Sequence, residues 1–210
     1  MNQNRKPINL GFCMPPIIGR DIFNIAELAE SQREFHLAFG QALGQWALIE
    51  ERLSYWFEAA TRMPYKMARA MFFSPRTFSA RTDILEAALR HNFVFCHCSL
   101  EFIKAATTKA GKLSSFRNRL AHGEQSFDAR KDSPTFKQTI LISGKDIPET
   151  AADNAVTVAQ LNEATACFRE VARLLMDVFE FVSGQRTPDT PVECLRLLNE
   201  LPDQVGVRKP

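Results

Sequence analysis

Seven consecutive residues, Arg117-Asn118-Arg119-Leu120-Ala121-His122-Gly123, hold the side chains best suited to handling a phosphate. An arginine guanidinium is a planar fork that matches two phosphate oxygens, and an imidazole gives or takes a proton near neutral pH. From Phe102 to Gly123 there is no Asp or Glu, whereas Lys104, Lys109, Lys112, Arg117 and Arg119 are all cationic. A local field of that sign attracts anions, phosphate above all. The segment reads as the closing turn of a long helix stopped by Gly123 as a C′ residue.

The elements that must position these residues are helical. A long helix is expected over Arg33 to Ala60, with its seam at Phe35, Phe39, Ala42, Trp46, Ile49, Leu53, Trp56 and Ala60. That spacing alternates four and three, as a helix packed in a bundle requires. Pro64 suits the first turn of a short helix through Phe73. Ser74-Pro75 then reads as an N-cap and first helical residue of a helix to about His91, with Phe78, Ile84, Leu85 and Leu89 inward. A third long helix spans Leu100 to Ala121. Between Glu124 and Gly144 the period changes to two, with Phe136, Gln138, Ile140 and Ile142 alternating with Lys137, Thr139 and Leu141. This predicts a β-hairpin after a turn at Lys131-Asp132-Ser133-Pro134. Thr157 and Gln160 form a capping box that opens a last long helix with its seam at Leu161, Ala164, Phe168, Val171, Leu175, Val178 and Val182, ended by Gly184.

The expected fold is therefore an all-α, antiparallel up-and-down bundle with a small β-hairpin insert. Its predicted parts are an irregular arm over 1–20, a helical domain over 21–184 with the insert near 124–144, and an extension over 185–210. That extension carries a short helix at about Val192 to Leu201, then a basic tail. The 17 Phe leave room for an oligomer interface.

Within the third helix Phe102, Ile103, Ala106, Ala110, Leu113, Phe116 and Leu120 form one apolar stripe, and Arg117 falls inside it. A charge there must be paired or must line a cleft or interface. Two readings stand side by side. Arg117 is buried against Glu50 or Glu51 of the first helix and His122 is a helix-end cation, or both belong to an anion site. Asn118 and His122 share a neighbouring face, with Arg119 nearby.

Composition bounds the setting. A net charge of +2 over 210 residues argues against a generic nucleic-acid coat, so a polyanion site must be local. Five scattered cysteines (Cys13, Cys96, Cys98, Cys167, Cys194) suit reduced thiols in a cytoplasm better than a disulfide framework. No apolar run reaches membrane-spanning length, and the N-terminus lacks the apolar core of a signal peptide.

The Arg117-Asn118-x3-His122 segment resembles the Arg-x4–6-His motif of the HEPN superfamily, whose members commonly place a polar residue, often Asn, directly after the Arg. The architecture over about residues 30 to 184 is similar too, with the motif at the end of the penultimate long helix. Arg90 and His97 also satisfy the loose pattern. There, however, His91 follows the Arg, the span crosses apolar Phe93, Val94 and Phe95, and no glycine closes it.

The resemblance implies metal-independent RNA cleavage by a toxin or host-defence endoribonuclease, leaving a 2′,3′-cyclic phosphate. It implies Arg117, Asn118 and His122 as catalytic residues, and Arg119, Lys112 and Lys109 as substrate-binding ones. It implies no metal and no cofactor, a homodimer with two motifs across a shared cleft, RNA as partner, and an antitoxin or regulatory protein beside it. Some relatives carry a Tyr two residues after the His that a partner enzyme modifies; here that position is Glu124. Others keep the fold as non-catalytic interaction or scaffold modules. On an ideal helix Arg117 and His122 lie about 140° apart, which favours a site composed from two subunits.

Other constellations carry less. Cys96-His97-Cys98 invites a metal, but adjacent ligands converge poorly and buried thiols are the plainer reading. Arg76, Arg81 and Arg90 read as a wet helix face. His36 reads as a surface or satisfied histidine, and Arg130 and Lys131 as a solvated turn. No P-loop, dinucleotide fingerprint, zinc-protease motif or nucleophile elbow occurs.

Overall fold

The computed structural model describes residues 15–19, 24–90, 95–143, 155–185, 187 and 189–206. The basic segments at the two termini, Cys13 and the residues between Arg90 and Phe95 lie outside the described residues. The chain is mostly helical, with a small three-stranded sheet. Its elements are β1 (Ile17–Ile18), α1 (Ile25–Thr61), α2 (Tyr65–Phe73), α3 (Phe78–Arg90), α4 (His97–His122), β2 (Gly123–Asp128), β3 (Gln138–Ser143), α5 (Val158–Val182) and α6 (Thr190–Glu200). No helix among the described residues is long and apolar enough to cross a membrane.

Helix α1 begins eight residues before the expected Arg33. Asn24 caps it by accepting from the Ala26 amide at 2.9 Å, and Glu27 reaches back to the Asn24 amide at 3.2 Å, closing a capping box. This early stretch folds because the sheet gives it something to pack on. Leu28 meets Phe127 and Ala129, and the Ser31 hydroxyl accepts from the Thr139 amide at 2.6 Å. Lys137 pairs with Glu27 at 2.8 Å.

The main core lies where α1, α4 and α5 meet. Phe35, Ala42, Trp46, Ile49, Leu53 and Trp56 of α1 are buried, as are all seven residues of the α4 stripe and the α5 seam from Leu161 to Val178. Trp46 stands at 5.0 Å from Phe78 and 5.3 Å from Phe168, centroid to centroid. The Trp56 indole donates to the Leu175 carbonyl at 3.2 Å. Each such large apolar side chain contributes about 2–3 kcal/mol by burial, so Phe168→Ala is expected to cost about 3–5 kcal/mol. The segment after residue 185 joins the same core through Cys194, Leu198 and Val205.

Three local expectations are corrected. Ser74 closes α2, donating from its hydroxyl to the Met71 carbonyl at 2.9 Å, because Pro75 cannot extend that helix. Helix α3 starts three residues later, where the Thr77 hydroxyl accepts from the Ala80 amide. The arm is not wholly irregular, since Ile17–Ile18 adds in parallel to β2.

The sheet has order β1-β2-β3, with β2 and β3 antiparallel in register from Gly123↔Ser143 to Asp128↔Gln138. Phe136 precedes β3, and Thr139 through Ile142 are all buried. Both faces of β3 are therefore covered. Thr157 and Gln160 form the capping box read from sequence.

Candidate functional site

Helix α4 ends because the chain turns straight into a strand. Gly123 is extended (φ −81°, ψ 158°), not left-handed, and it is the first residue of β2. Glycine is needed there for space: a Cβ would stand 2.5 Å from Leu141 Cγ and 2.9 Å from the Arg119 carbonyl oxygen. The sequence predicted the right residue for the wrong reason. Close approach of β3 to the helix end, rather than a positive φ, is what Gly123 permits.

Leu120 anchors the last turn in the core at 2% exposure, so the opposite side of that turn faces solvent. Asn118, Arg119 and His122 are exposed and Arg117 is half-buried. Arg117 Nη1 donates to Asn118 Oδ1 at 3.3 Å. The Arg119 guanidinium lies 5.7 Å from the Phe116 ring centre. Arg119 and His122 both occupy the last turn, where the helix dipole favours positive charge.

The ion pair expected as the alternative for Arg117 is not formed. Glu50 is held by Arg81 Nη1 at 2.8 Å, and Glu51 lies 3.6 Å from Arg69 Nη1. Arg81 is thereby corrected from a wet-face residue to a mostly buried link between α1 and α3. Among the described residues, no carboxylate pairs with Arg117 or His122.

Two residues expected to touch substrate have another task. Lys109 is buried, 7% exposed, and its Nζ donates to the Leu201 carbonyl and to Asp203 Oδ1, both at 2.7 Å. Lys112 pairs with Asp203 Oδ2 at 2.6 Å while remaining half-exposed. Hydrogen bonds from Lys109 and then Lys112 hold the Asp203 carboxyl at about 2. Lys109 thus clasps the tail after α6. Farther along, Gly206 crosses Phe116 so closely that a Cβ would stand 2.3 Å from its ring, and Gln160 Nε2 donates to the Gly206 carbonyl at 2.8 Å. The groove of about 550 Å³ between α4 and α6 sets Asp203 and Glu101 among its lysines. The carboxylate-free stretch of sequence is therefore not carboxylate-free in space.

Sequence reasoning missed one further cluster. Asp128, fully buried, accepts from Arg130 Nε at 2.9 Å and Nη2 at 3.0 Å, and from Thr135 Oγ1 at 2.6 Å and the Ser133 hydroxyl. Burial pushes this carboxyl up, but those donors outweigh it and hold it at about 2. Arg130 is consequently committed to the loop rather than to solvent. The signal lay in Asp128-x-Arg130-x-x-Ser133-x-Thr135, short polar residues that bond to a nearby carboxylate in a turn. His36 of α1 shares a 2.7 Å hydrogen bond with Gln125 Oε1 on β2 and so tethers α1 to the strand leaving His122. Among the described residues no three His, Cys, Asp or Glu side chains converge as a metal site needs.

Comparison with protein-family models, with curated proteins and with solved structures finds no match to this chain.

Proposed function

We propose that this chain is a metal-independent endoribonuclease of the HEPN type, acting in the cytoplasm as a toxin or host-defence effector. What supports the reading is that one helix end carries both a guanidinium without a carboxylate partner and an exposed imidazole. In this reading the helices form an antiparallel up-and-down bundle with the β2–β3 hairpin as its insert.

The chemistry follows from the residue types. A ribose 2′-hydroxyl loses its proton to a base and attacks the adjacent phosphorus. The bond to the 5′-oxygen breaks, an acid protonates that oxygen, and a 2′,3′-cyclic phosphate remains. His122 serves as base or acid. Arg117 binds the non-bridging oxygens as their charge grows, and Asn118 holds the guanidinium in place through its amide oxygen. Arg119 steers the strand. Each chain supplies one imidazole to the motif, so base and acid together call for a homodimer with two motifs facing one another. An antitoxin or regulatory partner would then act by covering or splitting that cleft.

A second reading is a non-catalytic interaction module of the same fold. It is favoured by the loss of Lys109 and Lys112 to Asp203, which leaves fewer cations for a strand. The test is RNA degradation by wild type and His122→Ala with excess chelator present. Cleavage by wild type alone supports the nuclease; equal cleavage, or none by either, supports the module. Mixing Arg117→Ala with His122→Ala after subunit exchange is expected to restore part of the activity if the sites are shared.

A further inference from the structure

The first turn of α4 carries chemistry that RNA cleavage does not use. Cys96 is the N-cap of this helix, and its Sγ accepts from the Ser99 amide at 3.4 Å and lies 3.1 Å from Ser99 Oγ. Two residues on, Cys98 is part-exposed, while Cys96 is exposed. Cys96 has extended backbone (φ −66°, ψ 157°) and stands outside the helical turn, so it escapes the opposed directions that residues two apart take within a helix, while the helical His97 between them keeps the two Cα atoms about 5.5 Å apart, inside the window that a disulfide spans. Phe95 fixes the approach to this turn by packing its ring 5.6 Å from Trp56, and Ser99 is fully buried. One sulfur thus sits at the positive end of a 26-residue helix, with backbone and hydroxyl donors aimed at it and a second thiol alongside.

We propose that Cys96 and Cys98 are a reversible redox pair that reacts with small-molecule disulfides, with Cys96 as the attacking thiolate and Cys98 as the resolving thiol. The Cys96 thiolate attacks one sulfur of the small disulfide. That S–S bond breaks, a mixed disulfide forms, and the first small thiolate leaves. Cys98 gives its proton to solvent and attacks Cys96 Sγ, and the second small thiolate departs. The protein dithiol is oxidised by two electrons and the small disulfide is reduced to two thiols.

The two sulfurs are poised for different roles. Burial pushes the Cys96 thiol up, but hydrogen bonds from Cys98, the Ser99 hydroxyl and the backbone outweigh it and lower it. Donating to Cys96, and then burial, raise Cys98. The other described cysteines do not compete, since Cys194 is buried and burial pushes the Cys167 thiol up to about 11. The pair does not depend on the nuclease reading, and its test reads no RNA.

The experiment places the full chain, with Cys13→Ser to remove the cysteine outside the described residues, in oxidised glutathione at pH 7. The tryptic peptide from His91 to Lys104 is then weighed; it holds both thiols. The expected result is loss of two hydrogens, an internal bridge. Cys98→Ser is expected to stop at one glutathione on Cys96. It should react about tenfold faster than Cys96→Ser, whose serine still caps the helix and keeps it folded. Two glutathiones on the peptide with no bridge, or equal rates for the two variants, would overturn the proposal.

Discussion

The two halves of the basic face of α4 meet different fates. Lys109 and Lys112, in the middle of the helix, share one carboxylate, Asp203, which offsets one of their two charges and arrives from the other end of the chain. Arg117 and His122, at the helix end, meet no carboxylate among the described residues. In sequence all four belong to one acid-free run. The lesson is that local charge counts only the acids close in sequence, whereas the field at a site is set by whatever the fold brings within a few ångströms. An arginine elsewhere marks the opposite extreme. Arg130 lies two residues from the buried Asp128 and is committed to it by two hydrogen bonds.

The sharpest way to break this comparison is catalytic. His122→Ala and Arg117→Ala are each expected to lower RNA cleavage on the order of a hundredfold or more. Thermal melting should stay near the wild-type value, because neither side chain is paired to a carboxylate. If Arg117→Ala instead unfolds the protein, the guanidinium is structural and the contrast between the two halves fails.

A smaller effect, on stability alone, should follow from Asp128→Asn. The expected cost is about 2–3 kcal/mol by urea unfolding at pH 6, since Arg130 loses its counter-charge in a buried loop. The folded carboxyl, at about 2, lies below the ordinary 3.8. Its stabilisation is therefore complete above pH 4 and disappears as pH falls through 2. The gap between wild type and Asp128→Asn should narrow over that window. A gap independent of pH would show that charge is not what the loop uses.

Smaller still is the tail. Asp203→Ala should release the segment after α6, seen as a lowered melting temperature and faster proteolysis beyond Glu200, with cleavage of RNA retained. Because the Asp203 carboxyl is held at about 2 against an ordinary 3.8, this contribution too is present above pH 4 and lost toward pH 2. The smallest expected effect is that of a chelator. Activity in excess EDTA should match activity without it, since the proposed chemistry runs on an imidazole and a guanidinium. Loss that magnesium or manganese restores would point to another mechanism.

The long periodic helices were legible in the sequence because burial imposes a 3.6-residue period, and the α4 stripe from Phe102 to Leu120 is buried throughout. The first eight residues of α1 were not, although Asn24-x-x-Glu27 spelled their capping box, because their apolar partners lie on a sheet more than ninety residues away. Gly123 was recognised as special, but its reason, the approach of Leu141, is a tertiary one. The place of Arg117 and His122 in the closing turn of a long helix was legible from the periodicity and from Gly123. The withdrawal of Lys109 was not, because nothing near it in sequence hints at Asp203.

The most direct test of the central claim sets Arg117→Ala beside Lys112→Ala in one RNA-cleavage assay with chelator present. Both remove a single cation from the same helix. The account predicts that Arg117→Ala loses cleavage on the order of a hundredfold, while Lys112→Ala keeps most of it because Asp203 already holds that ammonium at 2.6 Å. Equal losses, or a larger loss for Lys112→Ala, would contradict it.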